Sequence, residues 1–153
     1  MQPTLVTKPA FTVVGIRIRV KAMSPEIPAL WGRFVPRIAE IRNPAEPDVA
    51  YGLMGNFDEA TRMLDYMAGI SVTTVEEIPE GMEAWELLAA TCAVFDTNLA
   101  SIHETYSKID DEWFPNSGYS QAPGVAFERY DETFKPDAGA TTFSIFIPVA
   151  PRR

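Results

Sequence analysis

Between Phe11 and Val20 the chain reads FTVVGIRIRV, in which Ile16, Ile18 and Val20 alternate with Arg17 and Arg19, the two-residue period of a strand with one buried face. Ser24-Pro25-Glu26 then reads as an N-cap followed by Pro at the first helical position. Apolar residues at Ile27, Leu30, Trp31, Phe34, Ile38 and Ile41 continue it as an amphipathic helix of roughly four turns, kinked at Pro36. Asn43-Pro44 closes the helix. VAYGLM (49–54) and ISVTTV (70–75) predict two further strands, with the punctuated stretch GNFDEATRMLDYMAG holding a turn and the start of the returning strand. The first half is therefore β-α-β-β.

The second half repeats the order. WELLAATCAVF (85–95) is apolar enough for a strand, and Ile102, Tyr106, Ile109 and Trp113 fall at helical spacing within 98–113, with Pro115 and Gly118 as the stop. VAFERYDETF (125–134) and TTFSIFIPV (141–149) complete a second β-α-β-β. A shift of 76 residues lays VAYG (49–52) on VAFE (125–128), Ile16 on Cys92, Ile27 on His103 and Leu30 on Tyr106. The fold expected is α+β: duplicated β-α-β-β units, about 9–76 and 84–150, forming a curved antiparallel sheet with two helices on one face and a pseudo-two-fold.

The same shift sets Gly52 against Glu128, so one half carries a carboxylate where the other has no side chain. In a strand, Ala126, Glu128 and Tyr130 share a face while Phe127 and Arg129 point the other way. Two readings of Glu128 stand side by side. An isolated strand glutamate is ordinarily wet and faces a Lys or Arg; a buried one costs several kcal/mol unless a hydroxyl or a ligand cation partners it. Aromatic neighbours would add roughly 0.5–2 kcal/mol of cation–π attraction each. Trp31 and Phe34 on the first helix, with Tyr106 and Trp113 on the second, are the candidate aromatic walls, and the same stripes serve as plain core packing. Tyr51 falls on the face opposite Gly52 and reads as structural.

Charge narrows the function classes. The chain has 153 residues, one domain's length, with 21 acidic against 13 basic residues and a formal net charge of −8. That balance, with no basic run beyond Arg152-Arg153, disfavours direct nucleic-acid binding. Cys92 is the single cysteine, which excludes an intrachain disulfide and a Cys-cluster zinc site, and its place mid-strand predicts an inert buried thiol. His103 stands alone and is expected on a helix surface, so no metal site is predicted. EEIPEGMEAWE (76–86) reads as a solvated linker between the halves. The opening segment has neither signal-peptide nor membrane-spanning character, which predicts a soluble, cytoplasmic protein. No phosphate loop, G-x-S-x-G or H-E-x-x-H pattern occurs, and no cofactor is expected.

LWGRF (30–34), YGLM (51–54), DYMAGISV (65–72), CAVF (92–95), EWFPNSGY (112–119), FERYDETF (127–134) and FSIFIPV (143–149) together resemble the gyrase-inhibitor-like small-molecule-binding domain, which also serves AraC-type and MerR-type multidrug regulators as an effector-binding part. The chain departs from that pattern at AVFDTNLAS, where many members have a Gly after AVF. The resemblance implies a groove near the pseudo-two-fold in which an acidic residue, here Glu128, pairs with a cationic drug among aromatic rings. The ligand-contacting residues it implies are Glu128, Tyr130, Trp31, Phe34, Gly52, Tyr106 and Trp113.

The function expected is binding of cationic or amphipathic aromatic small molecules, by a sensing or sequestering protein. With the first strand placed near residue 11, no DNA-binding domain is expected, so any regulatory role would need a partner chain; a monomer or homodimer is anticipated. Two alternatives accompany this reading. One is a hydrolase for electrophilic small molecules, with Glu128 beside Tyr130 orienting water. The other is a gyrase-inhibitor-like protein interaction through an acidic surface.

Overall fold

A computed structural model describes residues 2–152. Nine strands and two main helical segments follow one another: β1 (Thr4–Lys8), β2 (Phe11–Lys21), α1 (Glu26–Phe34), β3 (Ala50–Asp58), β4 (Met63–Val72), β5 (Glu83–Leu87), β6 (Ala90–Asn98), α2 (Ile102–Lys108), α3 (Phe114–Ser117), β7 (Tyr119–Gln121), β8 (Ala126–Tyr130) and β9 (Thr142–Pro151). Every pairing is antiparallel, in the order β1-β6-β9-β8-β3-β4-β2-β5, with β7 beside the end of β9.

This order makes the duplication visible. Strands β2, β3 and β4 mirror β6, β8 and β9 about the central β3–β8 pair, where Gly52 faces Glu128 directly, as the shift of 76 requires. The first strand of each unit crosses to the other: β1 edges onto β6, and β5 onto β2. These leading strands follow a different offset. Thr4 pairs with Val94 and Glu83 with Gly15, so Glu83 − Thr4 and Val94 − Gly15 both give 79. The difference, 79 − 76, means that the second unit crosses from its leading strands to β8 in three residues fewer, which corrects the alignment of Ile16 with Cys92.

Two apolar layers result from the strand alternation. On the helix side, Leu30 and Phe34 of α1 pack fully buried on Val14, Val20, Tyr66, Ala68 and Ile70, while Ile109 of the second helical segment joins Phe95, Phe143, Ile145 and Ile147. On the far side, Val13, Tyr51, Leu53, Met67 and Phe127 form a third cluster. Tyr51 is structural, as its face predicts: its ring packs on Phe11 and Phe127, and its hydroxyl donates to Glu46.

Several boundaries differ from the periodicity. Thr4–Lys8 is a strand too short to announce itself, recruited by pairing with β6. The apolar run 85–95 is two strands broken at Leu88-Ala89, because its halves pair with opposite ends of the sheet. Consequently the last residues of the acidic linker, 83–86, belong to an edge strand, Glu83–Leu87. Strand β4 starts at Met63 and stops at Val72, shifted toward the turn by its long pairing with β2.

The helices deviate at their prolines. Beyond Phe34 the first becomes a 3₁₀ segment, Val35–Glu40, which accommodates Pro36 by changing helix type. Ser24 Oγ accepts the Glu26 N–H at 3.1 Å, although Pro25 already has helical angles. Pro115 does not stop the second helix. A π-turn over Ile109–Trp113, in which the Phe114 N–H donates to the Ile109 carbonyl, carries the chain past it. The true stop is Gly118, left-handed at φ 77°.

Asn98 starts this segment in extended conformation, its Oδ1 accepting the Ser101 N–H at 3.0 Å. The AVFDTN departure thus supplies a side-chain cap. Asn98→Ala is expected to cost about 1 kcal/mol in urea unfolding, and Asn98→Asp to cost little; equal losses for both would show that the cap contributes nothing.

Candidate functional site

Glu128 is 5% exposed and occupies the helix-side face at the centre of the sheet. Strand alternation places Ala126, Glu128 and Tyr130 on this face and sends Phe127 and Arg129 to the other. The wet, salt-bridged glutamate is a different residue. Arg129 pairs with Glu46 at 2.8 Å on the far side, where Glu46 also accepts from Tyr51 and Ser71.

Three phenol hydroxyls converge on the Glu128 carboxylate. Tyr130 donates to Oε1 at 2.8 Å, Tyr106 to Oε2 at 2.9 Å and Tyr66 to Oε1 at 3.3 Å. Each comes from a different element: Tyr130 two residues along β8, Tyr106 from α2, Tyr66 from β4. Trp31 on α1 completes the set, its Nε1–H donating to the Tyr66 hydroxyl at 2.9 Å and its ring standing edge-on to Tyr130 at 5.4 Å. Since Tyr66 accepts from the indole, its own proton is directed at Glu128.

All the carboxylate's protein partners are neutral. None of the ion pairs among the described residues involves Glu128. Burial therefore pushes the Glu128 carboxyl above its ordinary value, and the three hydroxyl hydrogen bonds offset only part of this. Burial, and then the Glu128 charge, push the Tyr66, Tyr106 and Tyr130 hydroxyls up, so all three stay protonated donors. A carboxylate accepts about four hydrogen bonds, which leaves one side of Oε2 open.

Gly52 makes the arrangement possible. A Cβ there would overlap the Tyr66 hydroxyl and lie 3.1 Å from Glu128 Oε1. The carboxylate and the tyrosine hydroxyl share the space that the missing side chain leaves.

Of the residues marked in the sequence, Glu128, Tyr130, Trp31, Gly52 and Tyr106 come together here. Phe34 lies beneath Trp31, their rings 6.0 Å apart, and is wholly enclosed by the core. Trp113 sits elsewhere, packed on Phe95, Phe114 and Tyr119 beside a cavity of about 530 Å³ that β1 and the second helical segment line. That cavity does not reach Glu128, whose surroundings are side chains. Tyr66 escaped sequence reading. Its signal was the alternation of Tyr66, Ala68 and Ile70 along DYMAGISV, which puts a polar-tipped ring on the Glu128 face. His103 is exposed on α2, and Cys92 is buried, its thiol pushed up by burial.

Residues 1–150 match the model of the GyrI-like small molecule binding domain. The chain belongs to this family. Over 152 residues it is 32% identical to the transcriptional regulator BrlR of Pseudomonas aeruginosa, a match covering 97% of this chain and 56% of BrlR. The chain thus spans about half the length of the curated relatives it matches. Among solved structures, SAV2435 bound to tetraphenylphosphonium aligns with TM-score 0.77 and 16% identity over 98% of this chain and 94% of that one. The EcmrR C-terminal domain aligns with TM-score 0.74 and 17% identity over 98% of both. At these identities the two structures speak for the fold. No helix among the described residues is long and apolar enough to cross a membrane.

Adding a methyl at Gly52 must expel the Tyr66 hydroxyl. Gly52→Ala is expected to destabilise by about 1–3 kcal/mol in denaturant unfolding, and by distinctly less in a Tyr66→Phe background. Additive losses would contradict the shared-space account.

Proposed function

We propose that this GyrI-like domain binds aromatic, lipophilic cations, with Glu128 as counter-charge and Trp31, Tyr66, Tyr106 and Tyr130 as the surrounding rings. The observation that carries this is the nature of Glu128's partners: a buried carboxylate held by three neutral hydroxyls has orientation but no neutralising charge. A cation supplies the missing charge in a low-dielectric setting, where its attraction far exceeds that at a surface. The ring faces add cation–π attraction, stronger as water leaves. Tetraphenylphosphonium, bound by SAV2435, has this chemistry and no N–H donor, so it can neutralise Glu128 without competing for its hydrogen bonds.

The site is filled by its own side chains, so entry requires the partly buried aromatic groups carried by the two helices, Trp31 and Tyr106, to yield. No second carboxylic acid is among the hydrogen-bond partners of Glu128, and burial pushes the three phenols up as acids. This favours capture over acid–base turnover. BrlR is a transcriptional regulator and EcmrR carries a domain of this fold; by extension, ligand capture here serves sensing or sequestration.

Tetraphenylphosphonium titrations followed by tryptophan fluorescence or calorimetry test the reading. Glu128→Gln keeps the shape of the site and removes its charge, and is expected to weaken binding more than tenfold; unchanged affinity would sink the assignment. The proton linkage has a definite sign. A cation favours the ionised carboxylate, whose folded pKa lies above the ordinary one. Affinity should be full above that raised pKa and fall as pH drops through it, at a higher pH than for an ordinary glutamate. In Glu128→Gln the profile should be flat across the same range.

A further inference from the structure

Leu88 is 88% exposed, far beyond any other large apolar side chain among the described residues. It sits in the two-residue link between β5 and β6, where Leu87 still pairs with Phe11 and Ala90 already pairs with Lys8. The offset of 79 between the leading strands makes Pro9 its counterpart in the first unit. The fold therefore builds the same link without a leucine, and Leu88 contributes almost no burial to its own chain.

Beside Leu88 opens a cavity of about 270 Å³, walled by Leu87, Ala90, Cys92, Val125 and Pro148. Roughly 150 Å³ of apolar cavity suffices for benzene, so a leucine side chain fits. Lys8 and Glu86 also line this cavity. Neither takes part in an ion pair among the described residues; the Lys8 ammonium rests 4.5 Å from the Phe11 ring centre. An apolar knob, an apolar hole, one cation and one anion thus occupy a single patch.

A patch carrying both members of each complementary pair has the composition that an isologous two-fold contact requires. We infer that a second copy of this chain docks here, each Leu88 entering the other copy's cavity and each Lys8 meeting the other's Glu86. The patch is small against the roughly 800 Å² per partner of a standard stable interface, and the chain's net charge of −8 opposes self-association. The dimer is accordingly a weak one, with a dissociation constant on the order of 10–1000 μM.

Sedimentation velocity from about 5 μM to about 2,000 μM brackets that range. The sedimentation coefficient should rise toward the dimer value with concentration. Leu88→Asp, at so exposed a position, should keep the circular dichroism of the parent and weaken association at least tenfold. Lys8→Glu should weaken it as well, and Glu86→Lys added to that variant should restore it. A monomer throughout the range would overturn the inference and leave the patch to a different protein; so would a dimer that Leu88→Asp leaves intact.

Discussion

Glu128 and Gly52 face each other across the central strand pair, on the axis that relates the two halves of the molecule, and the rest of the helix-side face is arranged around that meeting. A carboxylate taken out of water at this depth costs several kcal/mol unless compensated. Compensation comes as hydroxyl hydrogen bonds from β4, α2 and β8, which can converge only because the opposing strand has no side chain to occupy the middle. A strict two-fold would have put a carboxylate on both sides, with the repulsion of two like charges a few ångströms apart. The duplicated scaffold makes the central site; the asymmetry of one residue gives it a charge.

The division of labour between the two sheet faces follows from strand alternation. Facing away from the helices, Arg129 and Glu46 form a guanidinium–carboxylate pair braced by Tyr51 and Ser71, the usual way to keep charges on a partly buried surface. Facing the helices, the adjacent residue Glu128 has aromatic hydroxyls and no cation. Neutral donors orient a carboxylate while leaving its field uncancelled. Under the proposed function, binding at this site is governed by charge and hydrophobic shape, since three of the carboxylate's hydrogen bonds are already made within the protein.

Much of this was legible in the sequence because it rests on local pattern. Two-residue alternation identified the inward face of FERY, and a single offset between VAYG and VAFE set Gly52 against Glu128. What periodicity could not show depends on distant pairing. The five-residue β1 is a strand only because β6 accepts it, and the run from Trp85 to Phe95 breaks at Leu88-Ala89 only because its ends belong to opposite ends of the sheet. Pro115 misled for another reason: a π-turn absorbs its missing N–H, and no residue type announces that turn. Tyr66 was hidden in an apolar strand, where its ring matches the core and only its hydroxyl reaches the site. Trp113 shows the converse, since helical spacing put it on the face of Tyr106 while the π-turn and β7 gave it different neighbours.

The claim on which the account turns is that the charge of Glu128, and not the open cavity beside Trp113, receives the ligand. A crystal structure of the complex with tetraphenylphosphonium tests it most directly. The account predicts the phosphonium within about 6 Å of the Glu128 carboxylate, ringed by Trp31 and the three tyrosines, with the indole turned away from Tyr66. A cation found instead in the cavity beside Trp113 and Tyr119, with the Glu128 hydroxyl cage undisturbed, would contradict it.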